Sequence, residues 1–291
     1  MTTAFKPTHQ TPGVHHHAVG DVVVTALNDG MFEASFDWLT NIDPAEPPAL
    51  HRAIFRAIPP HITVNAFLVQ IGERLTLVDS GCGGIMGPSL GRLADNLAAM
   101  GVAPAAIDTV LLTHLHPDHV GGLVDAAGNA LLPNAELIVH EAEPPFWQDE
   151  AVLAQATEDQ RGFIQLARTV LDAYRGRVRT IASGEALPGV TAIPAPGHTP
   201  GHTGWLIASG ADSLLIWGDI VHLPGVQFAR PTAGMGFDVD GAQAIVTRQR
   251  IMDMAATDRL LVAGMHLDFP AFGHLARTGD GYAFIPEVWT P

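Results

Sequence analysis

TVLLTHLHPDHVGG, residues 109–122, decides how this chain is read. It crowds His114, His116, Asp118 and His119 into six residues directly after an apolar run. Alternate residues of an extended segment face the same way. His114 and His116 can therefore aim two imidazoles at one point. Pro117 lacks an N–H donor and ends the strand. The turn sends Asp118 and His119 back toward the same cavity, displaced from the first pair, so one segment can serve two neighbouring metal ions. Burying four such donors without a metal would demand many separate hydrogen-bond partners. Histidine and carboxylate are also the common ligands of hydrolytic zinc sites.

Further donors stand at the ends of other apolar segments. PAPGHTPGHTG (194–204) holds His198 in a Gly/Pro loop, LLIWGDI (214–220) carries Asp219, and RLLVAGMH (259–266) ends on His266. Polar residues at the rims of buried strands are where layered scaffolds carry their chemistry. Taken singly, His198 reads as a turn residue and Asp219 as a cap. Together they complete two ligand sets.

The rest of the chain fits a compact, loop-rich globular protein. Of its 291 residues 47% are hydrophobic and 15% charged, with 30 Gly and 22 Pro, enough for a sizeable core with many loops. A net charge of −15 argues against nucleic-acid binding, which needs phosphate-neutralising Lys and Arg. The single cysteine, Cys82, excludes an internal disulfide and reads as a small buried residue. No apolar signal core opens the sequence and no stretch reaches membrane-span length, so a cytoplasmic protein without membrane contact is expected. His15–His17 read as a surface or dimer-contact segment.

Periodicity predicts strands over 21–27, 63–71, 74–80, 110–113 and 135–140, with a turn at Asn28-Asp29-Gly30. It predicts helices over 89–100, 151–174 and 241–256, and a strand over 259–266. Strands flanked by helices in both halves imply a layered α/β fold. One domain is expected over 1–291. Residues 1–20 form an N-terminal extension, and 36–61 and 141–175 are pocket-lining or lid segments.

HLHPDH, followed in order by His198, Asp219 and His266, resembles the H-x-H-x-D-H ligand pattern of the metallo-β-lactamase superfamily. The resemblance covers about residues 21–286 and implies an αββα sandwich with the metals at one edge. It implies that His114, His116 and His198 hold one ion, that Asp118, His119 and His266 hold a second, and that Asp219 bridges them. Zinc is the expected metal, with iron, manganese or cobalt as alternatives the ligands do not exclude. Two ions ~3.5–4 Å apart can share a hydroxide, lower its pKa and polarise a carbonyl or phosphoryl oxygen. Asp118 is the expected catalytic proton carrier. Asp79 and His202 are expected to orient ligands.

Within the superfamily, LGRLADNLAAMG, PNAELIVHEAE, GVQFARP and HLDFPAFGHLARTGDGYAFIP resemble the branch of methyl parathion hydrolase and lactonase-like dinuclear hydrolases, many of them homodimers. A flavodiiron enzyme would carry glutamate in place of His116, an RNase Z a basic surface, and a glyoxalase II a basic C-terminal segment. The implied substrate is a small ester or lactone, of quorum-lactone or aryl-ester type, with organophosphate triesters as the alternative. A β-lactamase or a non-catalytic metal-binding protein ranks below both. Trp147, His222, Phe269 and His274 are the expected pocket residues. His222 stands where the organophosphate enzyme has an apolar residue, which favours a substrate with a polar carbonyl.

Overall fold

A computed structural model describes residues 13–289. Two seven-stranded sheets carry the chain in sequence order. The first contains β1 (Val14–Val19), β2 (Val22–Glu33), β3 (His61–Ile71), β4 (Arg74–Val78), β5 (Thr109–Leu111), β6 (Glu136–His140) and β7 (Val178–Ile181). The second contains β8 (Gly184–Leu187), β9 (Val190–Pro194), β10 (Thr203–Ser209), β11 (Asp212–Ile216), β12 (Leu261–Ala263), β13 (Phe272–Thr278) and β14 (Gly281–Pro286). Four pairs are parallel: β4/β5, β5/β6, β6/β7 and β11/β12. Each parallel step needs a crossover. Leu93–Ala99, Glu158–Ala173 and Gly241–Thr257 are the main helices that fill three of these connections.

Burial on both faces explains the sandwich. Along β3, Phe67 and Val69 face the second sheet, while Ala66 and Leu68 face the helices. Leu111 and Ile138 belong to the inter-sheet core, whereas Val110, Leu112, Leu137 and Val139 pack beneath Ile164, Ala167 and Val170. A strand buried on both sides shows the period-2 split but little polar alternation. Phe67 of β3 meets Phe272 of β13 edge-on at 5.7 Å across the sandwich. This is the αββα arrangement expected above.

Local readings are corrected in four places. Asn28-Asp29-Gly30 is no turn. β2 runs through it to Glu33 with a register shift, and the Asp29 carboxylate accepts the N–H groups of Cys82, Gly91 and Leu93. The 151–174 helix is two, Glu150–Gln155 and Glu158–Ala173. The second starts at Thr157, whose hydroxyl and Gln160 form a reciprocal cap. Of the expected 1–20 extension, residues 1–12 lie outside the described part. Val14–Val19 form an edge strand paired along β2, with His17 stacked on Phe272 at 5.1 Å. Lastly, 36–61, whose proline-rich sequence reads as irregular, is partly ordered into a 3-10 turn, Phe36–Trp38, and a helix, Glu46–Ala53.

Candidate functional site, a buried cluster of histidines and carboxylates

The end of the sandwich where the parallel strands terminate gathers the donors. Asp79 follows β4, His114 follows β5, His198 follows β9, Asp219 follows β11 and His266 follows β12. His114 and His116 sit beyond β5 rather than on it, because the strand ends at Leu111. Pro117 opens a short helix, Pro117–Val120, that carries Asp118 and His119. A proline suits that first position because its missing N–H is not needed there.

The seven expected ligands converge. His114 Nε2, His116 Nδ1 and His198 Nε2 form a triangle with sides of 2.9, 2.9 and 3.2 Å. Asp118 Oδ2 lies 3.5 Å from His119 Nε2 and 3.4 Å from His266 Nε2. Asp219 stands between the two groups. Its Oδ1 is 3.3 Å from His119 Nε2, and its Oδ2 is 3.2 Å from His198 Nε2 and 3.1 Å from His266 Nε2. Each trio, and His114 with His119 and Asp219, has donor atoms within 4.8 Å of one another.

The cluster fits divalent ions better than an internal hydrogen-bond network. A neutral imidazole nitrogen holds at most one N–H, directed along its ring axis. Three nitrogens facing one point cannot satisfy one another. Tetrahedral nitrogens held at 2.0–2.1 Å from zinc stand about 3.3 Å apart, near the spacing seen. His119 Nε2 and Asp219 Oδ1 are buried and have no hydrogen-bond partner. Such orphans cost ~1–3 kcal/mol each unless a cation meets them.

The opposite ring nitrogens are tied down. His119 Nδ1 donates to Asp79 Oδ2 at 2.7 Å, His198 Nδ1 to Asp238 Oδ1 at 2.8 Å, and His266 Nδ1 to the Thr63 carbonyl at 2.8 Å. Each bond leaves the Nε2 lone pair facing inward. Asp79 also accepts the Thr113 N–H and hydroxyl. His202 is kept out of the donor sets. Its Nδ1 donates to the Ala195 carbonyl and its Nε2 accepts the Asp219 N–H. Asn65 clips the His266 loop to β3 through the Met265 and Leu267 carbonyls.

Charge follows from this packing. Burial would lower the His119 pKa, but Asp219, Asp118 and Asp79 around it outweigh burial and hold it well above the ordinary value. Burial likewise opposes protonation of His198, yet Asp219 and Asp238 raise it to about 9. Asp118 would be raised by burial, and its histidine neighbours His119 and His266 pull it far below the usual carboxylate range instead. A proton here occupies the place of a stronger cation.

The expected pocket residues divide. His222 is brought in: its Nε2 is 3.0 Å from Asp219 Oδ2, its ring stacks on His266 at 5.1 Å, and its Nδ1 is buried without a partner. Burial lowers its pKa to about 4, so the ring is neutral near pH 7. Trp147 lies edge-on to His116 at 5.3 Å but is only 3% exposed, so it backs a ligand rather than opening the mouth. His274 is not brought in. It donates to the Leu260 carbonyl and faces Glu287, because β13 carries it away along the sheet. Phe269 is 37% exposed. Cys82 is buried and its thiol is pushed far up by burial, which leaves it inert.

Several residues went unread in the sequence. Asp238 and Glu143 are single acidic residues in ordinary contexts, and only the fold brings them to His198 and Leu115. Phe237 stands over His222 at 5.1 Å and His198 at 5.9 Å, with Trp38 beyond it at 6.3 Å. Phe163 lies 6.2 Å from His116 on another side. His116 and Asp118 are the two members of the sets that are less than fully buried, so solvent reaches the cluster beside them.

The chain is similar to known proteins. The family model of the metallo-beta-lactamase superfamily matches residues 60–266. The uncharacterized protein YobT of Bacillus subtilis (strain 168) is 28% identical over 170 residues, 57% of this chain and 66% of that protein. An N-acyl homoserine lactonase of Bacillus cereus is 25% identical over 196 residues, 67% of each chain. The chain thus spans about two thirds of the length of these curated relatives. Among solved structures, hydrolase AbOPH of the beta lactamase superfamily is 33% identical, with a TM-score of 0.91 over 97% of this chain and 100% of that one. AidC, a dizinc quorum-quenching lactonase in complex with a product, is 27% identical, with a TM-score of 0.89 over 96% and 99%.

Proposed function

Since the chain belongs to the metallo-β-lactamase superfamily, we propose that it is a dinuclear metal-dependent hydrolase of small lactones or carboxylic esters. The observation that carries this reading is the pair of donor trios joined by Asp219, with orphaned atoms aimed between them. Lactonase relatives and a dizinc lactonase of the same fold support the substrate class. His114, His116 and His198 would hold one ion, and Asp118, His119 and His266 the other, with Asp219 shared. Two divalent ions so held supply a water-derived nucleophile near neutral pH and polarise the scissile carbonyl.

The chain's own residues do the rest. Asp79, Asp238 and the Thr63 carbonyl fix the ligand tautomers. Asp118 is ionised and partly exposed, so it can take up a proton on the substrate side and return it to the leaving alkoxide. His222 is neutral and its one N–H points from Nε2 to Asp219 Oδ2; where the ions take up that carboxylate, the same N–H can turn to the substrate carbonyl or leaving oxygen. Phe237 and Trp38 offer an apolar wall for the substrate body. That wall would also take an aryl leaving group, which keeps phosphotriesters as the second reading.

We further read zinc as the resident ion, the chain as one domain, and residues 36–61 and 141–175 as walls of the pocket through Trp38 and Phe163. Among the described residues no helix is long and apolar enough to cross a membrane. We place the protein in the cytoplasm as a homodimer. The exposed Ile54, Phe55 and Ile58 supply an apolar edge for the dimer contact. Light scattering tests the dimer.

The substrate reading is tested by kcat/KM of metal-reconstituted protein on acyl-homoserine and plain lactones, p-nitrophenyl esters and paraoxon-type triesters. A lactone or ester optimum is expected. A triester optimum would transfer the assignment to the second reading.

A further inference from the structure

Glu143 belongs to neither donor trio, yet it is completely buried beside them. Its Oε2 accepts the Leu115 N–H at 3.1 Å and the Trp147 indole N–H at 2.7 Å, and its Oε1 accepts the Gly201 N–H at 2.8 Å. All three donors are neutral. Burial accordingly pushes its carboxyl above the usual range. A buried carboxylate without a cationic partner is costly to keep.

What it joins explains its place. Leu115 lies between His114 and His116. Gly201 lies in the loop that carries His198. The carboxylate therefore spans the two loops that hold all three members of the first trio. The approach is close: a Cβ at Gly201 would come within 2.8 Å of Glu143 Cγ, so the loop needs glycine there. Trp147, bonded to the same carboxylate oxygen as Leu115, presses its ring edge against His116. The three acceptor bonds thus hold the loop that carries His114 and His116, the loop that carries His198, and a ring packed on His116.

We propose that Glu143 is a positioning residue that clamps the 114–116 and 198–202 loops, and so sets the affinity of the His114/His116/His198 site for its ion. This rests on the reading that the seven donors hold two ions. Partners one step removed from a metal typically control its affinity by 10–100-fold. The two sites should respond unequally, because Glu143 makes no bond to the segments that carry Asp118, His119 or His266 beyond Leu115 itself.

The test compares metal-stripped wild type with Glu143→Gln. The amide keeps one accepting oxygen but turns an NH2 group toward at least one of the N–H donors. Each protein is titrated with Zn2+ against a chromophoric chelator, and with Co2+ followed by its visible absorption. Wild type should take up two ions. Glu143→Gln should bind one as tightly as wild type and the other 10–100-fold more weakly, with loss of the Co2+ bands of the three-histidine site. Trp147→Phe removes one of the three bonds and keeps the ring, so it should weaken the same ion by a smaller factor. It decides the question if Glu143→Gln does not fold. Unchanged affinities in whichever variants fold would overturn the clamp. An equal weakening of both ions together with a lower melting temperature would overturn it as well, since that marks general destabilisation. Wild type that cannot take up two ions would defeat the dinuclear reading on which the clamp rests.

Discussion

His119 donates from Nδ1 to Asp79 Oδ2 at 2.7 Å, and the Nε2 of the same ring faces Asp219 Oδ1 at 3.3 Å and Asp118 Oδ2 at 3.5 Å without a hydrogen bond. The carboxylate holds a proton on Nδ1 and turns Nε2 toward the site, where an ion would replace its proton. Asp79→Asn should therefore keep the fold and weaken binding of the ion at Asp118, His119 and His266 by 10–100-fold. Chelator competition checks this. Unaltered affinity would show that ring orientation does not depend on Asp79.

Asp118 is the partly exposed carboxylate of the two sets. Asp118→Asn should cut kcat by ~10²–10⁴-fold, as loss of a proton carrier does, while at least one ion stays bound. Elemental analysis beside steady-state kinetics separates the two effects. Retained kcat would remove Asp118 from the proton path.

Protons and metal compete for the same nitrogens. His198 has its pKa raised to about 9, so below that pH the ring must lose a proton before it can bind an ion. Raising pH from 6 toward 9 should tighten metal binding by up to ~10-fold per unit for each proton released, and acid should weaken it. The slope of log Kd against pH measures the number released. A flat profile would contradict the protonated, metal-free cluster described above.

Removal of metal should also cost stability, since the ions bind the folded cluster and not the open chain. At a free concentration 1,000 times Kd one bound ion adds about 4 kcal/mol. Stripped protein should then melt several degrees or more below the reconstituted form by scanning calorimetry. Equal melting temperatures would argue that the cluster is occupied by protons alone.

His222 meets Asp219 and stacks on His266, and under the proposed function it borders the substrate carbonyl. His222→Leu should lower kcat/KM for lactones about 10–100-fold, the loss expected when a hydrogen bond to a polarised oxygen is removed. It should lower triester hydrolysis much less. A uniform loss across substrates would make His222 a structural neighbour of Asp219 and nothing more.

Much of the centre was legible because its donors are local in sequence. His114, His116, Asp118 and His119 share one loop, and the remaining three each end an apolar run. The layered α/β order was legible from strands flanked by helices in both halves, while the two-sheet sandwich followed from the resemblance to the superfamily. What was hidden depends on contacts over long separations. Asp238 reaches His198 across 40 positions and Glu143 reaches Gly201 across 58, and neither has a local pattern that marks it. Asn28-Asp29-Gly30 carries turn chemistry, yet pairing with β3 and three N–H bonds to Asp29 override it. His274 and Trp147 were placed by resemblance alone. Strand direction took the first away from the cluster, and a buried carboxylate drew the second inward.

The most direct test of the central claim is hydrolysis of an acyl-homoserine lactone measured against metal content, from stripped protein to two equivalents of Zn2+. The account predicts negligible turnover without metal and full activity only as the second equivalent is bound. Turnover by the stripped protein, or none toward any lactone or ester once two ions are bound, would contradict it.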